Sequence, residues 1–553
     1  MVRGLSGVVL ILGIALAMPP LPGNNRRIRM QGEMERASVR RMLTDRAGRL
    51  LVVLVDFSDN QHRWTEADFQ RLIFGAGTGS MKDYYQEVSF NNLVLGGEVV
   101  GWVRLSNPYS YYLGDSFGIY GSFPHNSQGL VRDVVQAIDG TVDFSRYDWD
   151  RDGFVDGLLL VHAGPGAEET GQPDNIWSHK WQLSDNVFGS PGPVQTGDNV
   201  SVDEYSIQPE RFGDGTLVTI GVFCHEFGHL LGLPDLYDTD YSSSGLGMFC
   251  LMAGGGWARA DASKPYGSSP THLNAWCKYL LGWVVPDSVE VGVRDSIEPA
   301  SLPASSTVAV CYRILENPGG VDWSAGKPGI GEYFMVENRQ RFGFDRGLPG
   351  TGLLILHIDE SRLNNDDEHQ PLVGILRADR SPNFALGPDD RGSDAHLWKQ
   401  SDTGVRNFTI PSTAFYNGVQ SGVVIENISA SDSVMFANLK IAPLFLGKVY
   451  SFPNPVVVKD QRAQATIVYT PTDSVRLAGQ FPSFTIRIYN IAGEPVRVLD
   501  KPGVEIMPEY RAGVWDLRNQ QHRPVTSGMY FYIVEIEEPG IKELNIGRLT
   551  IVR

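Results

Sequence analysis

The sequence predicts an α+β chain of several domains that ends in a β-sandwich, and three observations lead there. Around Cys224–Asp238, "CHEFGHLLGLPDLYD", the apolar residues Leu217, Ile220, Phe223, Phe227 and Leu231 fall at helical spacing. Continuous apolar runs with β-branched residues, "LLVVLVDFSD" from Leu50 and "FVDGLLLVHAG" from Phe154, read as buried strands. After about Trp283 the pattern changes to short strands and turns, and after "YSFPNPVVV" at Tyr450 to short alternating strands. At 553 residues the chain is too long for one ordinary core, so about two to four domains are expected.

Taken in order, Arg3 precedes an apolar run from Val8 to Ala17 that closes on Ala15-Leu16-Ala17. This is the pattern of an export leader, residues 1–17, cut near Ala17. The run is short for a bilayer span, and Pro19, Pro20 and Pro22 follow it. Since no other stretch is long and apolar enough to cross a membrane, the mature chain is expected without a transmembrane anchor, secreted or held at the surface of a bacterial cell. Residues 18–49 are polar and arginine-rich, a pro-segment or a linker. The globular body starts at Leu50. "GSMKDYYQEVSF" (from Gly79) and "NSQGLVRDVVQAID" (from Asn126) have polar starts and helical spacing. These place a first domain at 50–285. "EYFMVENRQ" and "GLLILHIDE" are strands of a β-rich continuation at 286–445. "FTIRIYNIAG" and "SGMYFYIVEIEE" belong to a separate sandwich at 446–553.

Composition narrows the function. With 42% apolar, 10% aromatic and 20% charged residues the chain can bury large cores, which excludes disorder as its main state. A net charge of -17 argues against nucleic acid as the main partner, because phosphate binding needs basic surface. The four cysteines, Cys224, Cys250, Cys277 and Cys311, are too few to frame so long a chain, and their spacing matches no zinc ribbon. Buried thiols and one or two disulfides both fit them.

The chemistry concentrates in "HEFGH". Positions i and i+4 share a helix face, so His225 and His229 present both imidazoles to one metal ion. Glu226 lies off that face, where it reaches a water polarised by the ion and takes its proton. Gly232 supplies the left-handed residue that ends helices, and Pro234 forbids continuation. The turn returns Asp235 as a third ligand, with Asp238, His272 and a distant glutamate as rivals. Two histidines and a carboxylate leave one position of zinc open. A bare HExxH pattern occurs by chance in many helices that bind nothing. Here an apolar helix face, a stop signal, a nearby carboxylate and an export leader accompany it.

A second cluster, "DWDRDGFVD", sets Asp148, Asp150, Asp152 and Asp156 around Gly153. Close carboxylates repel unless neutralised, and alternating oxygens around a glycine turn suit a structural calcium ion. The glutamate that an EF-hand needs at its twelfth position is Leu159 here, so the loop is not of that kind. The bland alternative is a solvated Asp-Gly turn.

"HEFGHLLGLPDLYD", with "MKDYYQEVSFNNL", "YDWDRDGFVDGLLLVHAG", "IWSHKW", "SSSGLGMFCLMAGGGW", "PTHLNAWCKYLLGW" and "GFDRGLPGTGLLILHIDE", resembles the successive blocks of the immune inhibitor A-like secreted metalloproteases, relatives of the metzincins. The resemblance runs from about Leu50 to Ser429. It implies a metzincin-like catalytic domain and a zinc-dependent endopeptidase made as a secreted precursor, acting on extracellular proteins and peptides. His225 and His229 would hold zinc and Glu226 would be the general base. The last position of the longer family signature falls on Asp235, and Met252 is similar to the family's methionine turn. The tyrosine that some metzincins carry two residues later is Gly254 here, which leaves Tyr237, Tyr241 and His179 as candidate oxyanion donors. Loops like Asp148–Asp156 in the family favour calcium. The tail, "IRIYNIAGEPVRVL" to "GRLTIVR", resembles the immunoglobulin-like domain of flagellar hook-capping proteins and the sorting domains of type IX secretion. That likeness implies secretion machinery or a cell-surface attachment as partner.

Overall fold

The computed structural model describes residues 16–19, 47–114, 116–401, 403–407, 409–442, 447–459, 463–471, 483–499, 504–506, 511–538 and 541–553. Most of the expected leader (1–15) and most of the arginine-rich segment (20–46) lie outside the described residues. The chain forms a mixed α/β structure with many strands and few helices, in two compact units. One is Met1–Gly404 with Ile425–Lys440; the other is Val405–Val424 with Ile441–Arg553. The second therefore takes in residues 405–424 besides the expected tail.

The first unit is built on a six-stranded sheet. Its strands are β1 (Leu16–Ala17), β2 (Ala47–Asp56), β3 (Val94–Arg104), β4 (Leu158–Pro165), β5 (His179–Gln182) and β6 (Glu204–Arg211). Their order across the sheet is β1-β5-β6-β4-β2-β3. β3, β2, β4 and β6 run parallel, whereas β5 is antiparallel to β6 and β1 to β5. Every residue from Leu50 to Val55 is buried, as expected of a parallel strand covered on both faces.

Helices pack beside the sheet: α1 (Glu66–Phe74), α2 (Met81–Val88), α3 (Ser127–Ile138), α4 (Ile220–Leu230) and α5 (Ala275–Leu280). The polar starts read from the sequence cap two of them. Ser80 Oγ accepts the Asp83 N–H at 3.1 Å, and Asn126 Oδ1 accepts that of Gly129 at 3.1 Å. The expected β-rich continuation is a five-stranded sheet of β7 (Asp287–Val289), β8 (Tyr312–Ile314), β9 (Glu332–Arg339), β10 (Gly352–Asp359) and β11 (Val373–Ile375), ordered β11-β10-β9-β8-β7. Ser296–Pro303 and Val434–Ile441 pair beside it as a further antiparallel ladder.

The second unit holds two sheets, of four and five strands, around a core that includes Tyr469, Ile486, Trp515, Val534 and Ile551. All four cysteines are buried, unpaired thiols.

Candidate metal centre

All eleven residues of α4 are buried. The helix ends as its sequence dictates. Gly232 takes a φ of 88°, its N–H bonds to His229 O at 2.9 Å, and the Leu233 N–H reaches Gly228 O at 3.1 Å. This pair of bonds is the Schellman closure, which only a left-handed residue permits. Pro234 then points the chain away from the helix, and Asp235 returns beneath it.

His225 Nε2 and His229 Nε2 stand 3.1 Å apart, and Asp235 Oδ1 lies 3.2 Å from each. The other ring nitrogens are engaged: His225 Nδ1 with Leu251 O at 3.0 Å, His229 Nδ1 with Leu233 O at 2.8 Å. A carbonyl can only accept, so each Nδ1 carries the proton and each neutral ring turns the lone pair of Nε2 inward. Three electron-rich atoms therefore converge in a buried pocket, and Asp235 Oδ1 has no donor among the described residues. Ligands about 2.0–2.1 Å from a tetrahedral ion sit about 3.3 Å from one another. The donor set fits zinc in kind, number and spacing.

Burial opposes ionisation of Asp235; when the His229 and His225 rings are protonated, their charge and hydrogen bonds outweigh it and hold the carboxyl below its ordinary range. Glu226 shows the opposite balance. Burial first, then the negative charges of Asp235 and Glu168, push its pKa well above the usual carboxylate value. The backbone N–H groups of Met18 and Lys180 face its carboxylate and pull the other way, too loosely to satisfy it. Both oxygens lack a hydrogen-bond partner among the described residues.

The methionine segment buttresses the centre. A side chain at Gly228 would run into Met252 Sδ, so the glycine lets this methionine pack against α4. Met252 O accepts the Leu236 N–H at 2.7 Å, which ties the segment carrying Leu251 to the one carrying Leu233 and Asp235. Tyr85 Oη bonds Cys224 O at 2.5 Å from the other side.

The rival ligands lie elsewhere. Asp238 accepts from Ser242 Oγ at 2.7 Å and from the Ser243 N–H at 2.8 Å, and His272 Nε2 meets Glu87 Oε1 at 2.8 Å. Among the oxyanion candidates only Tyr237 reaches the centre. Its phenol is hydrogen-bonded to Asp235 and its ring centroid lies 6.4 Å from that of His225. Tyr241 stacks on the far side of Tyr237, and His179 packs among Trp181 and Tyr205 with its Nδ1 on Trp177 O.

In the acidic loop, Asp148, Asp150 and Asp156 bring carboxylate oxygens within 4.8 Å of one another. Burial, then Asp150, Asp152 and Asp148, push Asp156 up to about 7, despite the Trp149 N–H it accepts. Asp152 does not join this group; its Oδ1 accepts the Phe154 N–H at 2.9 Å and closes the turn.

Three contacts escaped the sequence reading. Glu168 sits buried beneath Ser178, accepting its N–H at 3.0 Å and its hydroxyl at 2.8 Å. Trp177 and Trp257 direct indole N–H groups at Leu16–Pro19, and no local pattern announces either.

Residues 38–284 match the family model described as immune inhibitor A peptidase M6, catalytic domain. Immune inhibitor A of Bacillus thuringiensis subsp. alesti is 29% identical over 275 residues, which is 41% of this chain and 39% of that protein. Pre-pro-metalloprotease PrtV of Vibrio cholerae serotype O1 is 30% identical over 284 residues, 43% of this chain and 30% of that protein. The chain thus spans well under half the length of the curated relatives it matches. Among solved structures, OgpA of Akkermansia muciniphila aligns with 93% of this chain and 97% of its own at 10% identity, with a TM-score of 0.21, too low to carry an argument.

Proposed function

We propose that this chain is a secreted zinc-dependent endopeptidase of metzincin-like kind, which hydrolyses peptide bonds in extracellular proteins. One observation carries the reading: three acceptor atoms converge at 3.1–3.2 Å with the unpartnered Glu226 carboxylate beside them. The peptidase M6 match over 38–284 supports it.

His225, His229 and Asp235 would hold the ion. Zinc, when bound, supplies a Lewis acid that polarises a carbonyl and lowers the pKa of a water to about 7. Glu226 takes a proton from the attacking water as its oxygen adds to the acyl carbon. It then gives that proton to the departing nitrogen as the C–N bond breaks, so one water is consumed and an acid and an amine are released.

Glu226→Gln should keep stoichiometric zinc in metal analysis while peptide hydrolysis falls about 100- to 10,000-fold. A purified variant that cuts at the wild-type rate would sink the mechanism.

The same reading assigns Asp148, Asp150, Asp156 and the loop carrying Asp152 to structural calcium. It takes residues 1–17 as the export leader, 18–49 as the pro-segment of a precursor, and the second unit as an immunoglobulin-like module for sorting or surface attachment. No helix among the described residues is long and apolar enough to cross a membrane.

A further inference from the structure

Leu16–Pro19 lies beside the catalytic glutamate in the manner of a bound peptide. Leu16 and Ala17 pair antiparallel with Lys180 and His179 of β5, and the Met18 N–H donates to Ser178 O at 3.3 Å. The Trp177 indole N–H donates to Met18 O at 2.8 Å, and that of Trp257 to Pro19 O at 2.8 Å. The Met18 side chain is fully buried and its tip rests on Gly256.

We propose that this groove is the peptide-substrate site, in which Gly256 sets the size of the pocket for the first side chain beyond the cut bond. Trp177 and Trp257 hold the two carbonyls that follow that bond. The inference rests on the peptidase reading above and deepens it. The Met18 amide faces Glu226, the group that hands a proton to the departing nitrogen, so the residue bearing that nitrogen takes the place of Met18. Every main-chain contact of Leu16–Pro19 is one that any peptide can make. A buried indole N–H is costly without an acceptor, so both tryptophans favour an occupant with carbonyls in these two places.

Selectivity comes from the pocket floor. A Cβ on Gly256 would stand 2.6 Å from Met18 Cε and 3.3 Å from its Sδ, and the next atom, Gly221 O, is an ordinary 3.5 Å away. Gly256 has no left-handed φ, so its backbone accepts a side chain. Alanine there would collide with the occupant rather than with the fold, and valine would narrow the pocket further. The pocket takes a long, unbranched apolar side chain such as methionine.

The test uses zinc-loaded enzyme and variants freed of the pro-segment, by an added protease where a variant cannot process itself, and the peptides acetyl-Leu-Ala-X-Ala-amide, with X as Gly, Ala, Met or Leu. The wild type should cut before X with kcat/KM highest for Met. Gly256→Val should lower kcat/KM for Met by about tenfold or more while leaving X as Ala within about twofold. Trp177→Phe and Trp257→Phe should raise KM for every X without changing the ranking. An unchanged ranking in Gly256→Val overturns the assignment. Calorimetric binding of the same peptides to zinc-loaded Glu226→Gln separates the two readings. If the wild type cuts nothing but the Met peptide binds, and Gly256→Val weakens that binding, the peptidase reading falls and the groove stands. Equal binding to both forms removes the groove.

Discussion

Replacing Asp235 by asparagine should stabilise the metal-free protein and destabilise the metal-loaded one. With each Nδ1 proton directed at a backbone carbonyl, three acceptors face one another across 3.1–3.2 Å. An asparagine amide fits the same space, and its two N–H bonds can meet the two Nε2 lone pairs. Its carbonyl can still accept from Tyr237. Each neutral hydrogen bond nets about 0.5–1.5 kcal/mol, so the metal-free variant should gain about 1–3 kcal/mol. With zinc the order reverses. At free zinc about 100-fold above its dissociation constant the wild type gains about 2.7 kcal/mol, whereas the variant, with its anionic ligand gone, gains little.

Amide hydrogen exchange over Ile220–Leu230 reads the effect on the helix that carries both histidines, which avoids treating a chain of two units as one two-state system. Protection should be higher in Asp235→Asn than in the wild type with chelator, and lower with zinc. A variant that loses protection with chelator, or keeps the full zinc-induced gain, would refute the convergence of three acceptors as the basis of the site.

Two further outcomes concern the surroundings. Burial raises Glu168 from 4.5 to about 7 even though Ser178 donates to it twice. A carboxyl raised in the folded state contributes stability that is complete below pH 4.5 and is lost as pH climbs through about 7, here about 3 kcal/mol. Glu168→Gln should therefore flatten the loss of unfolding free energy between pH 5 and pH 8; a variant as pH-dependent as the wild type would contradict this. At the acidic loop, calcium about 100-fold above its dissociation constant should raise the thermal midpoint by the equivalent of about 2.7 kcal/mol in the wild type. Asp156→Asn should abolish most of that rise, and an equal rise in both proteins would leave the loop a plain turn.

The parts of the site legible in the sequence are those fixed by local rules. The spacing of His225 and His229 follows from helical periodicity, and Gly232 with Pro234 dictates a closure that needs no tertiary help. Leu50–Val55 reads as a buried strand because a parallel strand has no solvent face to mark with polar residues. The sequence narrows the candidates for a third ligand without choosing among them. Asp238 is only three residues from Asp235, and what separates them is that Ser242 and Ser243 have already claimed its carboxylate. His272 is withdrawn by Glu87, which lies 185 residues away. The groove is invisible for the same reason: Trp177 and Trp257 meet Met18 and Pro19 across 159 and 238 residues, and a single indole donor leaves no periodic trace.

The geometry of the centre is held by neutral packing and backbone bonds, not by the charges it gathers. Leu251 O and Leu233 O orient the two rings, and these carbonyls belong to segments joined by the Leu236–Met252 bond under α4. Collecting three acceptors in a buried pocket costs free energy, and apolar contacts such as Met252 against Gly228 must supply it. A cation that enters finds its ligands already placed and their mutual repulsion waiting to be relieved, so little of its binding energy goes into ordering the protein. The same rigidity keeps Glu226 buried near Asp235, with no hydrogen-bond partner for its carboxylate among the described residues. Loosening the Met252 buttress should therefore weaken metal binding before it unfolds the domain.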